Sequence, residues 1–310
     1  MKDLFGNDIV EPKLIDREVL VSVLMEHMRG IDENELVSML YSKYEAIIDF
    51  SRLCIGKKTG EKISMLFNPH RYNTPTKNSK SIIEAFNTDS FLSGLARATL
   101  FKESKVKELL YQVLQLGING VQYVNEFPPF VARNFYISQN AIKILDPCAG
   151  WGGRMIGAAS VGSFYHGFEP SAKTYAGLVR LGEFLKIFND GFDFCIENVP
   201  FEDAVLSKTY DFALTSPPYY DTELYSDELT NSCNRYGTFD DWKLNFYVPM
   251  IEKVVEHSKA FVVNVGNRQY DLKTPLFDIF NAKEITSKLS GSGGLGRKSS
   301  GKEGFFLIEN

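Results

Sequence analysis

Residues 142–154 read IKILDPCAGWGGR. The apolar run 142-IKIL-145 is short and suits a buried strand better than a helix. The turn 146-DPCAGWGGR-154 carries glycines at 150, 152 and 153, and 153-GRMIGAASV-161 then continues at helical spacing. Such a strand, glycine turn and helix let the backbone approach a ligand closely, with the free N–H groups of a helix start aimed at it. Further short apolar runs follow at 164-FYHGFE-169, 192-FDFCI-196, 210-YDFALT-215 and 260-AFVVNVG-266, with helical patterns over 171–188 and 241–257 between them. Segments at about 284–289 and 304-GFFLIE-309 bring the count of expected strands to seven. Strand–helix alternation of this kind predicts an α/β fold with a doubly wound, mostly parallel sheet. Its ligands sit at the carboxyl ends of the strands, where the strand order reverses.

Upstream of residue 118 the texture is helical. Apolar residues recur at helical spacing over 16–30, 32–54, 81–101 and 103–117, with Asp32 as a cap and Gly30 and Gly117 as stops. The expected division is an N-terminal helical domain over 1–118 and a sheet domain over 119–310. The net charge of −5 weighs against avid, non-specific nucleic-acid binding. No apolar run reaches membrane-spanning length. Four scattered cysteines without a C-x-x-C suggest neither a zinc site nor disulfides, and His27, His70, His166 and His257 show no metal-like spacing. The cytoplasm is the expected compartment.

The candidate ligand site begins at Asp146 and Pro147, which stand between the first strand and its glycines. A carboxylate there suits a cationic ligand better than the pyrophosphate of a dinucleotide. S-adenosylmethionine has an ammonium group and a sulfonium centre and no phosphate. A tight turn with a solvated aspartate is the plain alternative. Glu169, in 168-FEP-170, is placed to accept ribose hydroxyls, a role shared with nicotinamide sites. In 197-ENVPFED-203, Asn198 and Phe201 are candidates to frame an adenine, unless the segment is only a loop.

The fourth expected strand runs into 215-TSPPYY-220. Alone, Ser-Pro-Pro-Tyr is as consistent with a stiff turn as with a site. Its order after Asp-Pro-x-Ala-Gly-x-Gly-Gly and Phe-Glu-Pro resembles the class I methyltransferases that methylate exocyclic amines. Their shared motif is (Asp/Asn/Ser)-Pro-Pro-(Tyr/Phe), and the form here is most similar to the DNA cytosine-N4 methyltransferases. The resemblance covers roughly residues 119–310. It implies S-adenosylmethionine as donor, S-adenosylhomocysteine as product, no metal, and DNA as partner in a prokaryotic or viral setting. The target would be cytosine N4, else adenine N6, on a base flipped into the site. It implies catalytic roles for Ser216, Pro217, Pro218 and Tyr219. The Ser216 hydroxyl and Pro217 carbonyl would accept the amine's N–H groups, the prolines would hold that carbonyl rigidly, and Tyr219 would stack on the base. The implied cofactor set is Arg133, Asp146, Pro147, Ala149, Gly150, Gly152, Gly153, Glu169, Pro170, Asn198, Phe201 and Thr215. Arg133, in 127-FPPFVAR-133, would pair with the donor's carboxylate.

Rival readings are methylation of an RNA base amine or a protein side-chain amide, a non-catalytic binding module, and a nicotinamide oxidoreductase. Cys148 is not expected to act as a nucleophile, since it lies in the cofactor loop. Tyr220 has no assigned role. The segment 221–237 reads as a mobile loop in contact with substrate, and the basic run 291–302 as a phosphate contact or a hairpin loop. The stretch 57-KKTGEK-62 with His70, Arg71, Lys77 and Lys80 forms a basic cluster that either reads DNA or is an ordinary solvated face.

Overall fold

A computed structural model describes residues 16–77, 79–102, 107–108, 110, 124, 126–267, 269–285 and 303–309. The expected helix over 103–117 lies largely outside the described residues, and the basic run 291–302 lies wholly outside them.

Seven strands form one sheet: β1 (Lys143–Asp146), β2 (Phe164–Phe168), β3 (Asp193–Glu197), β4 (Phe212–Thr215), β5 (Ala260–Val265), β6 (Lys283–Ile285) and β7 (Gly304–Glu309). Their order is β3-β2-β1-β4-β5-β7-β6. Strands β1 to β5 are parallel, and β7 runs antiparallel to both β5 and β6. The doubly wound, mostly parallel sheet expected from the sequence is therefore observed. The order reverses between β1 and β4, so a ligand crevice opens beyond their carboxyl ends.

The N-terminal block holds α1 (Arg17–Met28), α2 (Glu33–Leu40), α3 (Lys43–Cys54) and α4 (Asp89–Lys102). The single helical run expected over 32–54 is broken after Leu40. Ser42 accepts from the Glu45 N–H while Glu45 returns to the Ser42 N–H, a capping box that starts a new helix. The N-terminal block and the sheet region share apolar packing. Ala46, Phe50 and Leu53 of α3, with Ile63, share one apolar cluster with Phe135, Ile144, Leu178 and Leu214 of the sheet region. Leu36, Leu40, Phe86 and Leu92 form a second cluster within the block.

Helices packed on the sheet include α5 (Pro129–Ser138), α6 (Gly153–Ala159), α7 (Ala172–Lys186) and α8 (Val248–His257). The pattern over 241–257 is helical as expected, but its first part is a wide π turn, Lys243–Tyr247. Pro249 lacks an N–H and its ring crowds the preceding turn, which accounts for the widening.

The block meets the sheet region most tightly at Gly177 of α7. A Cβ there would stand 2.0 Å from the Asn68 Oδ1 and 2.7 Å from the Phe67 carbonyl oxygen. Gly177→Ala is therefore expected to destabilise the protein by about 1–3 kcal/mol through overpacking. In an uncrowded helix the same change would stabilise by roughly 0.5–1 kcal/mol. Chemical denaturation distinguishes the two signs.

Candidate active site

A cavity of about 220 Å³ opens at the carboxyl ends of β1 to β4. Of the residues singled out in the sequence, Pro147, Ala149, Gly150, Gly153, Glu169, Pro170, Phe201, Ser216, Pro217, Pro218 and Tyr219 line it. Asp146, Gly152, Asn198, Thr215 and Arg133 stand behind or away from it.

Asp146 is fully buried beneath the loop. Its Oδ2 accepts from the Arg154 Nε at 2.7 Å and the Tyr165 hydroxyl at 2.5 Å. Its Oδ1 accepts from the Thr215 hydroxyl at 3.0 Å and the Cys148 N–H at 3.2 Å. The direct attraction to a ligand cation expected of Asp146 is thus replaced by a structural role, because Arg154 compensates its charge. Thr215 serves the same network. Arg154 also donates to the Cys148 carbonyl, which holds the loop from its far side. Burial, reinforced by the charge of Asp146, raises the Cys148 thiol well above its ordinary value, so it stays protonated.

Two glycines shape the turn. Gly152 has φ 97°, in the left-handed region, and a Cβ there would stand 2.7 Å from Leu181. Gly153 starts α6 where a Cβ would stand 2.1 Å from the Phe127 carbonyl oxygen and 3.0 Å from the Glu126 Oε1.

Glu126 lines the cavity and was not singled out in the sequence. Its Oε2 accepts from the Arg71 Nη1 at 3.0 Å and the Ser64 hydroxyl at 2.5 Å. Its Oε1 is buried and has no hydrogen-bond partner among the described residues. Burial pushes this carboxyl up to about 7, against the opposing pull of Arg71 and Ser64. Arg71, only 3 % exposed, also donates its Nε to the Val124 carbonyl. It is a buried bracket for the cavity wall rather than part of a basic surface. His70 is likewise inward: it bonds the Thr174 hydroxyl at 3.0 Å and meets the Trp151 ring edge-on. Burial, with Lys173 adding repulsion, lowers His70 to about 4. Lys77 pairs with Asp221. The expected basic cluster is therefore split by the fold. Arg133, the expected partner of a donor carboxylate, instead donates its Nη2 to the Cys54 carbonyl at 3.1 Å.

After β2, Glu169 is buried in the cavity wall. Burial pushes its carboxyl up to about 8, although the N–H groups of Ser171 and Gly150 favour the charged form. Asn198 donates to the carbonyls of Glu169 and Pro170, at 2.9 and 3.1 Å, and so ties the end of β3 to that of β2. After β3, Phe201 lines the cavity beside Glu202. The Glu202 Oε1 is held by Arg235 and Tyr236, while its Oε2 is buried without a partner among the described residues. Burial raises this carboxyl too.

Ser216 to Tyr219 form the cavity wall after β4. Tyr220 has φ 55°, unusual for a bulky residue. Its ring packs against Phe239, Trp242 and Tyr270, with centroids 6.1, 6.0 and 5.3 Å away. It anchors the turn while Tyr219 faces the cavity. The following segment is pinned rather than loose. Thr76 forms an antiparallel bridge with Glu223, Lys77 donates its N–H to the Thr222 carbonyl, and Leu224 donates to the Pro75 carbonyl. Tyr225 bonds Glu223 and packs against Trp151.

Away from the cavity, β2 and β3 bring His166, Cys195 and Glu197 together with possible ligand atoms within 4.8 Å of one another. Sequence spacing did not show this group, because register across two strands creates it. Both His166 ring nitrogens are already engaged, with Tyr210 and with Glu197. Among the described residues no helix is long and apolar enough to cross a membrane.

No family model matches the chain, and no curated protein matches it in sequence. Solved structures similar to it include magnesium protoporphyrin IX methyltransferase from Synechocystis PCC 6803 with bound SAM, at 10 % identity and a TM-score of 0.40, covering 59 % of this chain and 78 % of that one. TrmN from Thermus thermophilus is similar at 13 % identity and a TM-score of 0.38, covering 59 % and 49 %. A putative RNA methyltransferase from Pyrococcus horikoshii is similar at 14 % identity and a TM-score of 0.37, covering 59 % and 82 %.

The raised carboxyl of Glu169 has a measurable consequence. It keeps its proton in the folded protein between its ordinary value of 4.5 and about 8, where the unfolded chain has lost it. Folding then takes up a proton, and this contribution to stability is lost as pH rises through that window. Glu169→Gln is expected to flatten the fall in melting temperature of the ligand-free protein between pH 5 and pH 8. Equal slopes in the two proteins would show that Glu169 stays charged.

Proposed function

We propose that this chain transfers a methyl group from S-adenosylmethionine to an exocyclic amino group of a DNA base, cytosine N4 in first place and adenine N6 in second. The observation that carries the reading is one continuous cavity. It joins an acid-lined cleft after β1, β2 and β3 to Ser216-Pro217-Pro218-Tyr219 after β4.

The lining chemistry fits the donor. Glu126, Glu169, Glu202, Glu223 and Glu303 line the cavity, and the basic residue Arg154 is committed to Asp146. Buried carboxylate oxygens without partners call for hydrogen-bond donors or positive charge. S-adenosylmethionine supplies both, through its adenine amino group, ribose hydroxyls, ammonium and sulfonium. The pyrophosphate of a nicotinamide cofactor would instead be repelled. Glu202 and Phe201 suit the adenine, and Glu169 suits the ribose diol.

When bound, the donor supplies an electrophilic methyl group on sulfur. The protein's task is to orient the acceptor amine. Its lone pair is delocalised into the base ring, and acceptors on its two N–H groups favour a pyramidal nitrogen with a directed lone pair. The Ser216 hydroxyl and the Pro217 carbonyl are the acceptors. Two prolines fix the backbone, so the carbonyl needs no reorganisation as charge develops. The Tyr219 ring offers a face for the base, and the methylated amine gives up one proton to solvent. The choice of DNA is supported by the resemblance of Ser-Pro-Pro-Tyr to the cytosine-N4 enzymes.

The test is to supply tritiated donor with mixed DNA and RNA, digest to nucleosides and identify the labelled base by mass. N4-methylcytosine from DNA is the expected product; label confined to RNA or to protein would overturn the choice of acceptor. Ser216→Ala and Tyr219→Ala are each expected to lower transfer by about 100-fold or more. Donor affinity, measured by calorimetry, should stay within about threefold, since these residues act on the acceptor.

A further inference from the structure

We infer that Glu126, held in place by Arg71 and Ser64 of the N-terminal block, is the receptor for the ammonium group at the amino-acid end of the donor. The inference rests on the donor reading above and adds a binding residue to it.

Three observations converge on Glu126. First, its Oε1 is buried and has no partner among the described residues, while its Oε2 is fixed by two donors, the Arg71 Nη1 at 3.0 Å and the Ser64 hydroxyl at 2.5 Å. Its geometry is therefore set before any ligand arrives, and one acceptor is left over. A buried carboxylate oxygen in that state is costly unless a donor reaches it, and a charged donor satisfies it best.

Second, its position along the sheet is right. The strands run in the order β3, β2, β1 toward the switch point. Glu202 follows β3 and Glu169 follows β2, while Glu126 packs against Gly153 at the start of α6, after β1. All three line the same cavity. A ligand laid along this edge with adenine at Glu202 and ribose at Glu169 brings its amino-acid end to Glu126.

Third, the local charges are unbalanced. Glu126 interacts electrostatically with Arg71 and Glu61, and Glu61 in turn with Asp49 and Lys58. Burial favours the proton on Glu126 and Glu61 against the pull of Arg71, and a bound ammonium would shift that balance towards the charged carboxylate. Asp146 lacks this capacity because its own oxygens are filled from within the fold.

The test compares three ligands by calorimetry: S-adenosylhomocysteine, its deaminated analogue, and 5′-methylthioadenosine, which lacks the amino-acid end. The wild-type protein is expected to bind S-adenosylhomocysteine at least about tenfold more tightly than the deaminated analogue, as suits one charged hydrogen bond. Glu126→Gln should remove most of that preference while leaving 5′-methylthioadenosine affinity within about twofold. The inference is overturned if the wild type does not discriminate between the first two ligands. It is also overturned if Glu126→Gln weakens all three alike, or none. The wild-type comparison stands even where the variant folds poorly. If the wild type binds none of the three, the donor reading itself fails.

Discussion

The site depends on one buried ion pair. Asp146 ends β1 and Arg154 opens α6, and their contact spans the glycine turn between them. A buried pair is costly to desolvate and repays this only when its remaining hydrogen-bonding capacity is filled. Here the filling comes from three directions: Tyr165 on β2, Thr215 on β4 and the N–H of Cys148 in the loop. The same carboxylate therefore sets the position of the cleft loop and of the residue immediately before Ser216. The two halves of the cavity, separated by many residues in sequence, are referred to a single pair of oxygen atoms.

Around this centre the N-terminal block builds a wall. Arg71, Ser64 and Asn68 reach Glu126 and the Trp151 carbonyl, and Thr76 and Lys77 grip the segment after the proline motif. The block therefore touches both the cleft loop and the segment that follows Tyr219. The block thereby supplies donors to a wall of buried acids that would otherwise be left without partners.

The sheet and the strand ends were legible because each carries a local signal: a short apolar run, then glycines or prolines at a turn. Pro147, Gly150, Glu169, Phe201 and Ser216 to Tyr219 all reach the cavity for that reason. Glu126 and Glu202 were not legible. Among 39 acidic residues a buried one looks like any other, and Glu126 is distinguished by Arg71 and Ser64, which the fold brings in from far upstream. The basic cluster misled for the mirror reason, since charge in sequence does not reveal burial. Asp146 was expected to face the ligand, and the structure instead buries it against Arg154, a partner that belongs to the helix after the turn. Tyr220 gains a role only once its backbone conformation and its aromatic neighbours are seen.

The packing of α3 bears on how the chain is made. Phe50 and Leu53 belong to the same apolar cluster as Leu178 and Leu214. On a ribosome the helix emerges first, and its partners follow only on the order of ten seconds later at ordinary elongation rates. Through that interval its apolar face is uncovered, and contacts so distant in sequence form slowly even when the chain is complete. The cluster also takes in Val262 of β5, so the nascent chain is open to chaperone capture until β5 has been translated.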